Sequence, residues 1–444
     1  MTIFNGERLS ADIFQLDKER MVNGWYSDVY FKNISKILKK LSEEGYQYKG
    51  VDIGDIEIEM QIFTRRSPFS IIAGVDEALA ILKECTGYIN DEGEFINTAN
   101  HLEVEACHDG VKIFSSGNPL NVEPVIKIRG RYKEFAILET PIIGSLTEAS
   151  RTATNVYQVL EAARGKDILF FPARFAHYKL QALHGYAYTL GVSAYNREYS
   201  ANSKQLVSTD EQGSWWGGSG GGTISHSYIA AFMADTAEAV NQFCRLMPTN
   251  VNRIALVDFE NDCIGTSLNV LKNMFKKYNC LYKEGKKEEA KKYKLFGVRP
   301  DTSSSLRDLS VEPLGDKKLD NGVNARLIYK LRKALDKAYF DWNVESKDLE
   351  LAKKYCQDVK IIATGGFNPD KIRSFENSQV PVDIYGVGSW LLSNSSAEGT
   401  NNDFTADVVR IKKDGKWIDM AKIGRKACEN KKLTTVDMNG KEKL

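Results

Sequence analysis

Several signals that would restrict the function are absent from this chain of 444 residues. No apolar run reaches the ~18 residues of a membrane-spanning helix. The start, MTIFNGERLSADIF, lacks a basic segment followed by an apolar core, which predicts no signal peptide. The formal net charge of +1 provides no basic field for nucleic acid. The seven cysteines are scattered without a CxxC pair or a Cys/His cluster, which argues against a zinc site and fits reduced thiols. We therefore expect a cytoplasmic protein without a membrane or nucleic-acid partner.

Motifs of nucleophilic and metal-dependent hydrolysis are missing as well. The sequence contains no GxSxG and no HExxH, and GGSGGGT lacks the lysine that would complete a phosphate-binding Walker loop. What the chain has instead is glycine: six of the ten positions 213–222, in the stretch GSWWGGSGGGTISHSY. Two tryptophans and a following apolar run predict an ordered loop that leads into a helix. The loop delivers Thr223, Ser225 and His226, and His226 is the most interesting of the five histidines.

The order of strand and helix patterns predicts the fold. The first third reads as an α+β domain, and short apolar strands then alternate with helical stretches over some 250 residues. The strand candidates are FAILE (135–139), DILFF (167–171), TLGVSAY (189–195), GTIS (222–225), RIALVDF (253–259), LFGVR (295–299), VKIIATGG (359–366) and VDIYGVG (382–388). Seven or eight such units favour a (β/α) barrel over an open doubly wound sheet, which is the alternative. The predicted segments are 1–134 (N-terminal domain), 135–392 (barrel) and 393–444, a tail with a hairpin that packs back on the N-terminal domain.

In a barrel the functional groups follow the carboxyl ends of the strands. Gly365 and Gly366 follow one predicted strand, and Gly386 and Gly388 end the next, a pairing that predicts a phosphate site. Arg299 and Asp301 follow another strand, where they can hold an anion and a pair of hydroxyls or else form a surface salt bridge. After DILFF, Phe171 can stack on a flat ring while Arg174 holds its charged substituent.

Together these motifs resemble the nicotinate phosphoribosyltransferase family. The resemblance rests on EPVIKIRGRYKEFAILETPIIGSLTEASRTAT (123–154), FFPAR (170–174), GTISHS (222–227), GVRPDTSS (297–304), TGGFN (364–368) and YGVGS (385–389), and it runs from GWYSDVYF (24–31) to YGVGSW (385–390). It implies a type II phosphoribosyltransferase fold, an irregular (β/α) barrel beside a domain built from both chain ends. It also implies a homodimer whose sites are completed by the neighbouring subunit.

The resemblance further implies a reaction and a set of residue roles. Phosphoribose would pass from phosphoribosyl pyrophosphate to the ring nitrogen of nicotinate, with Mg²⁺ and with ATP as co-substrate, in the salvage of NAD. Phe171 and Arg174 would contact the pyridine, and Arg299 and Asp301 the carboxylate or pyrophosphate side and the ribose hydroxyls. His226 stands where ATP-coupled members carry a phosphorylated histidine. The remaining substrate contacts would be His177, Thr223, the 5′-phosphate glycines Gly365, Gly366, Gly386 and Gly388, and Tyr30 from across the dimer interface. The metal ligands are left open.

Three alternatives to nicotinate transfer stay open at this point. Quinolinate phosphoribosyltransferase shares the fold but needs more basic residues for a second carboxylate, whereas only Arg174 and Arg299 stand beside the ring here. A nicotinamide-using relative is the second alternative. The third is a catalytically silent barrel that binds a nucleotide and regulates a partner, and pyrophosphate release separates it from the enzymes.

Overall fold

The structure is a computed structural model that describes residues 7–439. The predicted domain ends at 1–6 and 440–444 lie outside the described residues. Up to residue 135 the helices are α1 Lys18–Val22, α2 Val29–Glu43, α3 Val75–Cys85 and α4 Tyr132–Phe135. The strands of this part are β1 Gln47–Tyr48, β2 Val51–Asp52, β3 Glu57–Thr64, β4 Phe69–Ile71, β5 Gly87–Ile89, β6 Phe95–Asn97, β7 Glu103–Ala106, β8 Lys112–Phe114 and β9 Ile126–Arg131.

The middle of the chain alternates strands and helices. Its helices are α5 Glu139–Ala162, α6 Gln181–Tyr199, α7 His226–Ala231, α8 Thr236–Leu246, α9 Cys263–Lys283, α10 Lys287–Lys291, α11 Lys317–Asp320, α12 Ala325–Lys337, α13 Leu349–Gln357 and α14 Pro369–Asn377. Its strands are β10 Asp167–Phe170, β11 Gln205–Val207, β12 Ile254–Leu256, β13 Gly297–Arg299, β14 Lys360–Ala363 and β15 Ile384–Val387. The tail adds β16 Phe404–Lys413, β17 Lys416–Asp419 and β18 Thr434–Val436.

Both ends of the chain build one antiparallel sheet of six strands, in the order β17-β16-β3-β9-β7-β18. Ile58, Met60 and Ile62 alternate along β3 and are buried in one core with α3. The hairpin strand β16 pairs along almost the whole of β3, from Phe404 opposite Thr64 to Ile411 opposite Ile58. The C-terminal hairpin therefore lies in the N-terminal sheet, while the exact segment boundaries stay a prediction.

A second sheet of six strands is parallel throughout and runs β11-β10-β15-β14-β13-β12. Helices pack around it, and a separate large core lies between sheet and helices. The mixed α/β class and the parallel sheet of the prediction are confirmed. Closure into a barrel is not confirmed by the strand pairing, because β11 and β12 are edges that do not pair with each other within residues 7–439.

Two predicted strands are wrong. The run 135–139 ends α4, forms a turn at Ala136–Leu138 and begins α5, and the run 189–195 lies inside α6. Almost every residue of α6 from Ala182 to Tyr195 is buried, so the helix shows no amphipathic period and its apolar stretch reads as a strand. The short strand β11 was not predicted. The parallel sheet accordingly has six strands instead of the expected seven or eight.

The predicted strand at 222–225 is an extended segment without strand pairing. Just before it, Gly221 N–H donates to the carbonyl of Val207 at the end of β11, at 2.8 Å. Within it, the carbonyl of Ile224 accepts from Arg299 Nη2 at 3.3 Å. The loop 221–224 therefore contacts the end of β11 through a backbone hydrogen bond and the end of β13 through the side chain of Arg299.

No helix within residues 7–439 combines the length and the apolar composition that crossing a membrane requires.

Candidate active site

The structure brings most of the predicted site residues to one edge of the parallel sheet. Carboxyl ends of parallel strands meet at the same edge, and the groups that follow them face a common space. The residues in question are Phe171 and Arg174 after β10, Arg299 and Asp301 at the end of β13, Gly365 and Gly366 after β14, and Gly386 and Gly388 at the end of β15. This placement is the one that the sequence predicts.

A short hydrogen bond joins the loop after β13 to the glycine loop after β14. Thr364 is fully buried, and its Oγ1 donates to Asp301 Oδ1 at 2.7 Å. A Cβ atom on Gly365 would lie 3.6 Å from the same carboxylate oxygen. Gly365 and Gly366 have φ angles of +97° and +66°, in the left-handed region that favours glycine. A carboxylate and a turn of bare backbone amides therefore lie side by side.

Arg299 is the central cation of this edge. Its Nη1 lies 3.6 Å from Asp301 Oδ2, and its Nη2 holds the carbonyl of Ile224. Burial lowers the pKa of Arg299, the charges of Asp301 and Asp258 raise it, and the charge of Arg174 lowers it. The charges of Asp301, Asp258 and Arg174 therefore all lie close enough to Arg299 to affect its pKa.

Asp258 is a site residue that the sequence reasoning missed. It lies two residues beyond β12, is 8% exposed, and both carboxylate oxygens lie 3.2 Å from His226 Nε2. Burial raises the pKa of Asp258 and the nearby His226 lowers it. His226 begins α7, where the Ser225 side chain caps the helix by accepting from the Tyr228 N–H, and its ring is about half exposed. In the sequence, only its position near the end of the predicted strand RIALVDF could have indicated a site residue.

Aromatic rings lie directly on two of the predicted phosphate glycines. A Cβ atom on Gly386 would come within 2.7 Å of Phe171 Cε1, and one on Gly388 within 2.9 Å of Phe175 Cε2. The Phe175 ring carries the guanidinium of Arg174 at 5.2 Å from its centroid. Close packing of these rings is thus a reason for glycine at both positions, in addition to the predicted phosphate contact, which no observation tests.

Lys371 is a second residue that the sequence reasoning missed. It lies in the first turn of α14, and its Nζ donates to the Gly365 carbonyl at 3.1 Å. The ammonium also lies 4.2 Å from the centroid of the Phe367 ring. Burial lowers the pKa of Lys371 to about 8. Among the described residues no carboxylate lies within the 4.0 Å of an ion pair with it. Only its position at the end of TGGFNPDK, five residues after Gly366, could have drawn attention to it.

Three predicted residues lie farther from this centre. His177 is exposed, and its Nδ1 accepts from the Lys179 N–H at 3.3 Å, which caps a short turn. Thr223 is partly buried, directly before Ile224. Tyr30 is 57% exposed and donates to Asp28 at 3.3 Å. Its helix, α2, packs chiefly on α4 and the turn that follows, so the single chain does not bring Tyr30 to the strand ends.

The glycine-rich stretch is an ordered loop that leads into a helix, as predicted. Trp216 Nε1 donates to the Gln212 carbonyl at 2.7 Å, and the Trp215 ring lies 5.0 Å from that of Phe14. A Cβ atom on Gly213 would come within 2.2 Å of the Gly218 carbonyl oxygen. The loop is therefore closely packed at its start and delivers α7 to the site at its end.

Residues 28–150 match the family model described as "Quinolinate phosphoribosyl transferase, N-terminal domain". A nicotinate phosphoribosyltransferase of Caenorhabditis elegans is 22% identical over 371 residues, which cover 75% of this chain and 61% of the relative. The chain is thus similar in sequence to a nicotinate phosphoribosyltransferase over three quarters of its length. It spans less than two thirds of the length of this curated relative.

Solved structures agree with the family's fold. A nicotinate-nucleotide pyrophosphorylase from Pyrococcus furiosus superposes with a TM-score of 0.61 at 24% identity, over 96% of this chain and 86% of that one. The human nicotinic acid phosphoribosyltransferase superposes with a TM-score of 0.56 at 14% identity, over 87% of this chain and 74% of that one. At these identities the likeness concerns the fold alone, and the chain shares the architecture of both structures.

Proposed function

We propose that this chain transfers phosphoribose from phosphoribosyl pyrophosphate to the ring nitrogen of nicotinate, which yields nicotinate mononucleotide and pyrophosphate for the salvage of NAD. The observation that carries the proposal is the contact of Asp301 with the Gly365 loop. A phosphoribosyl group presents hydroxyls and a phosphate a few ångströms apart. Here the Asp301 carboxylate, which can accept from hydroxyls, lies 3.6 Å from where a Cβ atom on Gly365 would be, next to backbone amides that can bind a phosphate. The curated relative is named for this reaction.

The nicotinate pocket would lie between β10 and β15. Phe171 packs on Gly386, which leaves its other face for the pyridine ring, and Arg174 would pair with the carboxylate from its place on the Phe175 ring. Arg299 would stand beside the carboxylate or the leaving pyrophosphate, because Asp301 and Ile224 fix its guanidinium at this edge.

For this reaction the protein has mainly to position the two substrates and to stabilise the charge that develops. The pyridine nitrogen attacks the anomeric carbon as its bond to pyrophosphate breaks, and no proton has to be removed from the nucleophile. Bound Mg²⁺ would neutralise the charge that develops on pyrophosphate. Asp301 and Asp258 fit such an ion, since Mg²⁺ is commonly held by one or two carboxylates together with substrate phosphates. Within residues 7–439 no cluster of three or more His, Cys, Asp or Glu side chains forms a complete protein metal site.

ATP coupling would pass through His226. Its Nε2 faces Asp258 at 3.2 Å, which leaves Nδ1 free to accept a phosphoryl group. In that step the bond from Nδ1 to phosphorus forms as the bond from phosphorus to ADP breaks, and water later takes the phosphoryl group. The buried Asp258 carboxylate would hold the ring and stabilise its positive charge.

Two further parts of the proposal concern architecture. The loop 221–224 would complete the parallel sheet as an irregular barrel. Gly221 bonds the end of the edge strand β11, and Ile224 accepts from Arg299 at the end of β13, the neighbour of the other edge strand, β12. In a homodimer, Tyr30 of a second subunit would cover the pyridine ring. The exposed aromatic residues at the start of α2 support this interface, with Trp25 72% and Tyr30 57% exposed.

Pyrophosphate release tests the function. The protein is incubated with phosphoribosyl pyrophosphate and nicotinate, quinolinate or nicotinamide, with and without ATP. We expect release with nicotinate. In Asp301→Asn, which keeps the acceptor for Thr364 but removes the charge, the rate should fall about 100-fold or more. Asp316→Asn is the matched control, because Asp316 only caps the exposed α11 and Asn caps equally well. Silence with all three acceptors would rule out the transferase.

Quinolinate is the second candidate acceptor, because the family model that matches residues 28–150 carries that name. Its additional carboxylate needs a further cation beside Arg174 and Arg299. Release of CO₂ together with pyrophosphate from quinolinate would establish this activity, and release with nicotinate alone would exclude it.

A further inference from the structure

A cation without an anion lies beside the glycine loop. Lys371 donates to the Gly365 carbonyl at 3.1 Å and lies over the Phe367 ring, yet no carboxylate among residues 7–439 pairs with it. A partly buried charge that lacks a counter-charge is costly, and proteins usually pair it or remove it. The neighbours show the contrast: Lys166 pairs with Glu376 at 2.7 Å, and Lys360 with Asp383 at 3.2 Å.

The place of Lys371 indicates which anion is missing. Its hydrogen bond reaches the carbonyl of Gly365, in the left-handed turn Gly365–Gly366. Thr364, the residue before that turn, donates to the carboxylate of Asp301, so the loop contacts both a cation and an anion. A ligand with hydroxyls toward Asp301 would present its phosphate toward Lys371.

We propose that Lys371 supplies the ammonium group that neutralises the 5′-phosphate of the substrate and of the product nucleotide at the Gly365–Gly366 loop. This inference rests on the proposed function and adds a residue to it. The backbone amides of the loop would orient the phosphate, and Lys371 would give up its bond to the Gly365 carbonyl or share it. The Phe367 ring, whose centroid lies 4.2 Å from the ammonium, would keep this group near the loop in either state.

Binding of a nucleotide and of its phosphate-free nucleoside separates this role from a structural one. Titration calorimetry compares nicotinate mononucleotide with nicotinate riboside for wild type, Lys371→Met, Lys371→Gln and Lys371→Arg. Lys354→Met, on the exposed side of α13, is the control for the loss of one lysine charge. We expect the nucleotide to bind about 10–100-fold more weakly to the Met and Gln variants, with the riboside within about twofold, since a hydrogen bond to a charged group contributes roughly that much. The Arg variant should recover part of the loss.

A proton linkage gives a second readout. With a pKa of about 8, the free Lys371 is largely neutral at pH 9, so nucleotide binding there should take up close to one proton and be about tenfold weaker than at pH 7. Calorimetry in two buffers of different ionisation enthalpy measures the uptake, which Lys371→Met should abolish. The other charged groups of α14 each have a partner: Asp370 pairs with Arg373, and Glu376 with Lys166 and the Tyr385 hydroxyl. At the glycine loop, Asp301 accepts from Thr364.

The outcomes that overturn the inference are distinct. Equal nucleotide affinity in wild type and Lys371→Met, in a protein that releases pyrophosphate with nicotinate, refutes the role of Lys371 and leaves the function standing. Equal losses for nucleotide and riboside assign Lys371 to the fold instead of the phosphate. A wild-type protein that binds no nucleotide and releases no pyrophosphate refutes the inference together with the proposed function.

Discussion

Lys371→Met should make the unliganded protein more stable at pH 7. The ammonium is partly buried without a carboxylate, and burial lowers its pKa from 10.5 to about 8. A difference of about 2.5 between these values corresponds to about 3 kcal/mol, at about 1.4 kcal/mol for each unit. Methionine keeps most of the volume and the contact with the Phe367 ring. It loses the hydrogen bond to Gly365 and the cation–π contact, so we expect a net gain of about 1–3 kcal/mol.

The stability difference between wild type and Lys371→Met depends on pH in a defined direction. The pKa of Lys371 is lower in the folded than in the unfolded chain, so the unfolded chain binds more protons between about pH 8 and 10.5. The free energy of unfolding of the wild type therefore increases as the pH rises through this window. Below about pH 8 the destabilisation by the partly buried Lys371 ammonium is fully present. The advantage of the Met variant should be largest at pH 7 and should disappear near pH 10.5.

Urea unfolding followed by tryptophan fluorescence at pH 7, 8, 9 and 10 measures this difference. Lys354→Met, at an exposed position of α13, should change the free energy of unfolding by less than about 0.5 kcal/mol at every pH. Saturating nicotinate mononucleotide should remove most of this advantage at pH 7, because a 10–100-fold weaker affinity of the Met variant corresponds to about 1.4–2.8 kcal/mol, close to the expected gain. A Met variant that is less stable than wild type without ligand, or a gain that does not vary with pH, would refute the reasoning.

Three other substitutions test the site. Gly388→Ala should raise the KM for nicotinate several-fold with little effect on stability, because its methyl group displaces only the half-exposed Phe175. Gly386→Ala should also lower the melting temperature, since its methyl group meets buried atoms at 2.5 Å. Equal effects of the two substitutions on the melting temperature would contradict the packing argument. Asp258→Asn should reduce the acid-labile phosphate label from ATP at least about tenfold, while an undiminished label would exclude the carboxylate from that step. Thr364→Val removes the 2.7 Å hydrogen bond to the Asp301 carboxylate. It should lower the free energy of unfolding by about 1–2 kcal/mol and raise the KM for phosphoribosyl pyrophosphate. An unchanged KM would show that this bond does not position Asp301.

The strands of the parallel sheet differ in how well the sequence predicts them. β12, β14 and β15 lie in apolar runs bounded by polar turns, and such runs are strong signals for buried strands. The run 189–195 has the same local character but belongs to the buried helix α6. A helix covered on all sides shows no polar face, so only its packing partners distinguish it from a strand.

The site shows a similar division. Glycines at strand ends, an arginine and an aspartate two positions apart, and an aromatic residue before an arginine are visible as local patterns. Asp258 and Lys371 are not, because their significance depends on groups that lie far away in the chain: Asp258 faces His226, 32 residues earlier. Lys371 is notable for the carboxylate it lacks, and the absence of a partner cannot be read from neighbouring residues.

Local patterns predict most strands of the parallel sheet, the glycine turns and the residues at the strand ends, since these depend on local backbone preferences and short-range periodicity. How these elements contact one another depends on the fold as a whole. In the folded chain β16 pairs with β3, β11 and β12 form the two edges of the parallel sheet, and Phe171 packs on Gly386. Such contacts join residues far apart in the chain, and their formation depends on burial and on the pairing of charges over the whole molecule.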